Sequence, residues 1–417
     1  MTDIAQHALP SAETSRAPRI DALTGLRIFP ALIVLLSHLK PPAWAGPQLK
    51  AFLTSGYAGV TFFFVLSGFV LTHNYFDRFV RGFSLRLVIS YFVARLARVY
   101  PLYLLLLVWV TFPELWLGKL NDSLWWDHTL ALQAWTGTLR DAYAFNAPGW
   151  SISVEMFLYA CFPVLVFLLL PLLRKPLRAG VALALVVVVM ALLTAYFYRS
   201  GYATLPWEDP HSSHRWLYRN PLCRLGDFLL GMFAARLVAT WTGLPRRALQ
   251  AGALLSTAAI VALMCWPEHV YSAVSWDFSY ALPAALLIFC LASAPASWGT
   301  RWLGTKPLML LGEASYALYL CHVQALGRLK AGKLPPEAWL ATNGLTILLV
   351  VAFAVGLHVS IERPARELLR TLLDPLAWRE AAARRAARRA AASAMTGAEE
   401  GTVVSPAPTP GLASPIR

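Results

Sequence analysis

Apolar runs of near-bilayer length recur along the whole chain, and no other feature constrains its fold as strongly. They include Ile28–Leu39, Val60–Leu71, Leu102–Phe112, Val154–Leu173, Val181–Tyr198, Leu282–Leu291 and Leu345–Val359. Several reach or approach the ~20 residues a helix needs to cross a bilayer. Charged residues make up 14% of the 417 residues and hydrophobic ones 58%. A soluble domain carries about 25% charged residues, so there are too few here to coat a water-facing surface. Mean hydropathy is +0.54. The reading is an all-α integral membrane protein with about ten transmembrane helices. They are expected near residues 25–40, 57–77, 99–113, 150–173, 180–198, 220–240, 249–266, 277–296, 307–325 and 340–361.

Basic residues orient these helices. Arg16 and Arg19 precede the first span. Arg78, Arg81, Arg86, Arg95 and Arg98 fill the second connection; Arg174, Lys175 and Arg178 the fourth; Arg246 and Arg247 the sixth; Arg301 and Lys306 the eighth. The tail from Arg363 is Arg-rich. Alternate connections share one face, expected to be cytoplasmic, and an even count puts both termini there. The net charge of +14 is then explained by the lipid bilayer, and no nucleic-acid motif accompanies it. An Ala/Arg-rich bias suits a bacterium and so a multi-pass protein of its inner membrane. The sequence is silent on oligomeric state.

Residues 1–20 read as a cytoplasmic segment without a signal peptide, and 21–365 as one transmembrane domain. Residues 366–395 read as a basic amphipathic helix lying on anionic lipid, and 396–417 as a disordered tail. The connections 114–149 and 199–219 are longer and mixed. The first holds Trp116, Trp125 and Trp126, the second Glu208, Asp209, His211 and His214. They are expected to form an outer vestibule. Cys161, Cys223, Cys265, Cys290 and Cys321 are scattered without a CxxC pair. They suggest neither a disulfide framework nor a metal site.

Several spaced motifs carry chemistry. Arg27 and His38 lie eleven residues apart, about 16 Å along a straight helix. If Arg27 marks the cytoplasmic interface, His38 falls near the bilayer midplane, where an ionisable group is costly and a functional candidate. A histidine bonded to a neighbouring helix, and an arginine serving as a topology anchor, remain open. Arg95 and Arg98 share one helix face, and their guanidinium forks suit phosphates; topology alone would also place them. In Asn146-Ala-Pro-Gly-Trp150-Ser151-Ile-Ser-Val-Glu155, Ser151 could cap the helix. Glu155, one turn in, needs a partner or faces a vestibule. Ser315, Tyr319 and His322 fall on one stripe, with Tyr316 beside it, and could line a cavity. His358 and Glu362 form an i,i+4 pair that reads as structural. Gly59, Ser67 and Gly68 would let the second span approach the first. The chain has no G-x-S-x-G elbow, Walker loop, H-E-x-x-H or G-x-G-x-x-G.

Taken together, these segments resemble the acyltransferase 3 family of membrane O-acyltransferases. They run in family order: Leu23-Thr-Gly-Leu-Arg27 to His38, Gly59-Val to Ser67-Gly68-Phe69, Arg95-x-x-Arg98 to Tyr100-Pro101, Trp150 to Glu155, Arg224 to Phe228-Leu-Leu-Gly231, Gly312 to His322, and Glu362-Arg363-Pro364. They cover about residues 20–370. The resemblance implies a cytoplasmic acyl-CoA donor, such as acetyl-CoA, as co-substrate and no permanently bound cofactor. It implies that Arg95 and Arg98 engage the donor, and that Arg27 and His38 belong to the reaction centre. Family members acylate sugars of surface glycans, nodulation-type oligosaccharides or macrolides. The chain most resembles stand-alone forms that lack an appended SGNH hydrolase-like domain. Pro30 would kink the first helix between Arg27 and His38.

On this reading His38 is the base for the acceptor hydroxyl, or itself a transient acyl carrier. Glu155 orients His38 or binds the acceptor. Arg27, Arg95 and Arg98 hold the donor. Ser67, Asn146, Trp150, Ser151, Ser315, Tyr316, Tyr319 and His322 line the acceptor cavity. The rival from another class is a polytopic secondary transporter of a small anionic or sugar-like solute. Such proteins often pair broken helices in two halves, and no such symmetry is visible here.

Overall fold

The computed structural model describes residues 19–295, 297–329, 339–379 and 382, and among them all regular structure is helical. In chain order the helices that matter are α1 (Asp21–Leu26), α2 (Ile28–Ser37), α3 (Tyr57–Arg81), α4 (Leu85–Trp116), α5 (Trp150–Leu168), α6 (Pro176–Arg199) and α7 (Pro221–Thr240). They continue with α8 (Arg246–Met264), α9 (Ala281–Ser293), α10 (Trp298–Leu303), α11 (Lys306–Glu313), α12 (Ser315–Arg328), α13 (Trp339–Leu357) and α14 (Arg363–Leu373).

Among the described residues, seven helical runs are long and apolar enough to cross a bilayer: α3, α4, Ala147–Leu168 ending in α5, α6, α8, Ala273–Ser293 ending in α9, and Trp339–Leu373 beginning in α13. Leu185, Val188 and Leu192 on α6 and Leu345 and Leu348 on α13 project outward from the bundle. That arrangement suits hydrocarbon rather than water, and the protein is a multi-pass membrane protein. The other three expected spans are helical but fall outside the seven. The segment 220–240 is the single helix α7 and carries Arg224, Asp227 and Arg236. The segment 307–325 is divided at Ala314.

The first expected span is also divided, and its kink lies one turn upstream of Pro30. Pro30 has no N–H for the carbonyl of Leu26, so the chain turns at Arg27 and Pro30 sits in the first turn of α2, where proline is tolerated. Helix α2 ends at Ser37, and His38 lies at its C-cap rather than inside a helix reaching residue 40. A second correction concerns Arg78 and Arg81, which close α3, and Arg86, Arg95 and Arg98, which lie in α4. They do not fill a connection. The loop is only Gly82–Ser84, and the Ser84 hydroxyl caps α4 by accepting from the Leu87 amide at 3.2 Å.

Helices α3 and α7 pack backbone to backbone at the centre of the bundle. A Cβ on Gly68 would lie 2.0 Å from the Phe228 carbonyl oxygen, and one on Gly231 would lie 1.9 Å from that of Val65. Gly59 does face the first span, where a Cβ would sit 2.5 Å from the Pro30 oxygen. Gly68 therefore serves α7, not the first span as expected, and Ser67 turns toward a cavity. Phe69, Phe162 and Phe228 are fully buried at this junction.

Buried in α7, Arg224 and Asp227 form an ion pair at 2.7 Å, with relative exposures of 1% and 0%. Arg224 also donates to the Tyr218 carbonyl at 2.7 Å and to the Thr61 hydroxyl at 3.2 Å. Of the expected basic helix 366–395, residues 366–373 lie in α14 and a break follows at Asp374. Residues 380–381 and 383–417, like 1–18, lie outside the described residues.

Candidate active site

The break at Arg27, α3, α4, the first turns of α5 and the start of α12 enclose a chamber of about 100 Å³. It brings together Arg27, Arg95 and Arg98, with Ser67, Ser151, Glu155, Ser315, Tyr316 and Tyr319. Arg95 and Arg98 point the same way because they are one turn apart on α4. The guanidinium of Arg27 lies over Phe63 at 5.9 Å, and that of Arg95 over Tyr75 at 5.6 Å and Tyr159 at 5.9 Å. Among the described residues, the buried N–H groups at Arg27 Nε, Arg95 Nε and Arg98 Nη2 have no hydrogen-bond partner, nor does the Ser315 hydroxyl. A buried unpaired donor is costly, and three guanidiniums with free N–H groups make a setting that suits an anion. Tyr159 donates to the Glu155 carboxylate from one turn below. Tyr316 ties α12 to α4 by donating to the Val99 carbonyl at 2.7 Å.

A second chamber of about 200 Å³ lies beyond the first. His38, Trp150, Tyr319 and His322 line it together with Tyr57, Tyr143, Trp207, His214, Tyr218, Tyr271 and Trp276. Val60 and Tyr319 line both chambers and form the wall between them. His322 is buried, and its Nδ1 lies 2.6 Å from the Tyr319 carbonyl. A carbonyl only accepts, so that nitrogen carries the hydrogen and Nε2 of His322 is the accepting nitrogen. It lies 3.3 Å from His38 Nδ1, which also lies 2.9 Å from the Val34 carbonyl. These partners assign the proton of His38 to Nδ1 and leave its Nε2 as the nitrogen with an open lone pair, without a partner among the described residues.

Residues 20–361 match the acyltransferase-domain family. The chain belongs to that family. Acyltransferase MdmB of Streptomyces mycarofaciens is 30% identical over 384 residues, covering 85% of this chain and 93% of that protein. O-acetyltransferase OatA of Staphylococcus aureus (strain NCTC 8325 / PS 47) is 24% identical over 383 residues, and a putative O-acetyltransferase of S. aureus strain COL is 24% identical over 374. The matched region spans only 58% and 57% of these two staphylococcal proteins. No solved structure matches significantly. Family membership makes the chain an acyl-transferring enzyme and removes the transporter reading.

In this acyltransferase the expected site residues divide between the chambers, except Asn146. Asn146 lines neither. Its amide donates to the Leu320 carbonyl at 3.1 Å and ties the loop to α12. The loop turns there through Phe145, whose φ is +57°. Ser151 does not cap α5; it donates back to the Pro148 carbonyl at 3.0 Å. Glu155 lines the arginine chamber, while the ring that meets His38 is His322. His322 was expected only as a cavity liner. The His358–Glu362 pair is present at 2.9 Å, and Glu313 reaches both His358, at 3.7 Å, and Arg19, at 2.6 Å. Among the described residues no group of three His, Cys, Asp or Glu is placed to hold a metal ion.

Sequence reasoning missed the aromatic floor of the second chamber. Tyr57, Tyr218 and Trp276 come from distant segments, with Tyr218 and Trp276 centred 4.9 Å apart and Tyr57 and Trp276 4.7 Å apart. His214 stacks on Trp207 at 4.9 Å. Burial, with Arg219 and Arg224 nearby, pushes its pKa down to about 3. His214 is therefore neutral at working pH. Tyr218 and His214 lie in the connection 199–219 expected to form the outer vestibule, whereas Tyr57 opens an expected span and Trp276 falls between two, so no local signal joined them.

Proposed function

We propose that this enzyme moves an acyl group, most simply acetyl, from acyl-CoA to a hydroxyl of a carbohydrate-containing acceptor at the bacterial inner membrane. The acceptor class is a surface glycan, a lipid-linked sugar or a macrolide. The observation that carries this reading is the pair of chambers meeting at Tyr319. One presents unpartnered arginine donors, and the other presents a histidine with one free nitrogen among aromatic rings.

In this reading Arg27, Arg95 and Arg98 hold a phosphate of CoA from the cytoplasmic side. A chamber of about 100 Å³ is too small for the nucleotide, which stays at its cytoplasmic mouth while the slender pantetheine arm enters. The thioester reaches the wall at Val60 and Tyr319. The acceptor sugar stacks on the aromatic floor of the outer chamber, as flat apolar sugar faces do on rings. His38 Nε2 takes the proton of the acceptor hydroxyl as its oxygen attacks the thioester carbonyl carbon. The C–S bond breaks, and the leaving CoA sulfur takes that proton back from His38. Tyr319, whose hydroxyl donates to the Pro148 carbonyl at a long 3.3 Å, is at hand to stabilise the oxyanion. Glu155 balances the arginine cluster and acts on the donor side. MdmB is named an acyltransferase and OatA an O-acetyltransferase; the second name supports acetyl as the group and oxygen as its destination.

The test uses purified protein in nanodiscs with acetyl-CoA and a panel of sugars and macrolides, with free CoA as the readout. Release that depends on one acceptor and disappears in His38→Ala supports the reading. Undiminished release by a folded His38→Ala protein overturns it.

A further inference from the structure

A cavity larger than either chamber lies outside them. A cleft of about 600 Å³ runs between α8 and the outer faces of α2, α3 and α9, and it shares no lining residue with the arginine chamber. No charged side chain lines it. One stripe of α8, from Leu249 through Ala253, Thr257 and Ile260 to Met264, forms one wall. Fifteen residue steps make that wall about 22 Å long. One leaflet of hydrocarbon is half of the ~30 Å core, or about 15 Å. The cleft therefore takes a lipid tail along its full length.

One mouth of the cleft is basic and aromatic. Trp298 and Trp302 of α10 line it, stacked at 6.5 Å with a 6° interplanar angle, and both are exposed. Arg246 and Arg247 open α8 at the same end, Arg301 lies between the tryptophans, and Lys306 opens α11. All are exposed, and none makes an ion pair among the described residues. The chain has no Asp or Glu between residues 241 and 267 or between 278 and 312. Asp21, which packs beside Gly304, is engaged by Arg19 at 3.4 Å. Basic clusters at the end of an apolar groove between membrane helices suit anionic lipid headgroups, and tryptophans mark the interface.

We infer that this cleft binds one anionic diacyl phospholipid, with a tail along α8 and its phosphate among Arg246, Arg247, Arg301 and Lys306. Leu26, Phe29 and Ile33 face the cleft, while Arg27 and His38 on the same segment face the chambers. The bound tail is thus packing for the back of the helix that carries the reaction centre. A zwitterionic lipid has no net charge to answer this rim.

The test is photolabelling of wild-type protein in detergent with diazirine-tailed phosphatidylglycerol or phosphatidylcholine, mapped by peptide mass spectrometry. Phosphatidylglycerol is expected to label residues 246–264 and 281–293 at least fivefold more than phosphatidylcholine. Ala253→Trp, which fills the cleft, abolishes that labelling. Arg247→Gln with Arg301→Gln reduces it to the phosphatidylcholine level. Labelling of the outward face of α6 stays constant and reports folding. Equal labelling by both lipids in wild-type protein overturns the inference without reference to any variant. So does labelling spread evenly over α6 and α13, or competition by acyl-CoA.

Discussion

Nε2 of His322 faces Nδ1 of His38 at 3.3 Å, although 284 positions separate them in the chain. The contact explains how a histidine at the end of a helix, beside a cavity, keeps one orientation. His322 is held by the Tyr319 carbonyl and in turn holds His38. Held this way, His38 presents one nitrogen to the cavity without needing a carboxylate, as the proposed role of base requires.

His38→Ala is expected to lower kcat by about 10²–10⁴, the usual worth of a positioned base. His322→Gln keeps an acceptor and should lose less, about 10-fold to 100-fold, with the acceptor KM little changed. Steady-state kinetics on folded protein checks both. Equal losses in kcat and KM for His322→Gln would assign it to acceptor binding instead.

Arg95→Gln and Arg98→Gln should each raise the donor KM by about tenfold or more, since a hydrogen bond to a charged group contributes about 1.5–3 kcal/mol. Arg98→Lys should recover only part, because a lysine lacks the fork. Isothermal titration with CoA separates binding from turnover.

Asp227→Ala leaves the Arg224 guanidinium buried without its carboxylate and should cost about 3–5 kcal/mol. Replacing both residues, Arg224→Met with Asp227→Leu, should restore most of the melting temperature. A double variant as unstable as Asp227→Ala would show that the pair acts through something other than charge.

Gly231→Ala puts a methyl 1.9 Å from the Val65 oxygen and must push α7 off α3. The expected cost is at least the about 1–3 kcal/mol of ordinary overpacking. Activity should fall with it, since α3 carries Ser67 and the wall residue Val60. Gly180→Ala is the control, because a Cβ there meets nothing within 4 Å.

His214 lies in a connection outside the spans, and burial lowers its pKa from 6.5 to about 3. Between those values the unfolded chain binds the proton and the folded one does not. Stability from this group is therefore complete above pH 6.5 and falls as pH drops toward 3. Melting temperatures measured from pH 7.5 to 5 should decline less for His214→Phe than for wild type.

Apolar periodicity and turn residues are local, and they were enough for most of the helices. The motif around Arg95 and Arg98 was legible because one-turn spacing fixes a shared face. The division of the first span was only half legible. Pro30 signalled a disruption, but it acts on the carbonyl one turn earlier and so breaks the chain at Arg27. The close approach of Gly68 was legible as a small-residue contact, while its partner α7 was not, since spacing within one helix says nothing about which neighbour it meets.

The sequence by itself determined the membrane class, the helical segments, the arginine and histidine candidates, and through their order the family resemblance. These follow from composition, from the 3.6-residue period and from residue chemistry. Only the tertiary structure decided that Glu155 joins the arginines rather than His38, that His322 is the partner of His38, and that Tyr319 stands between two chambers. Those pairings depend on how separate helices cross and rotate against one another. Close packing of whole surfaces sets that, and no local pattern encodes it.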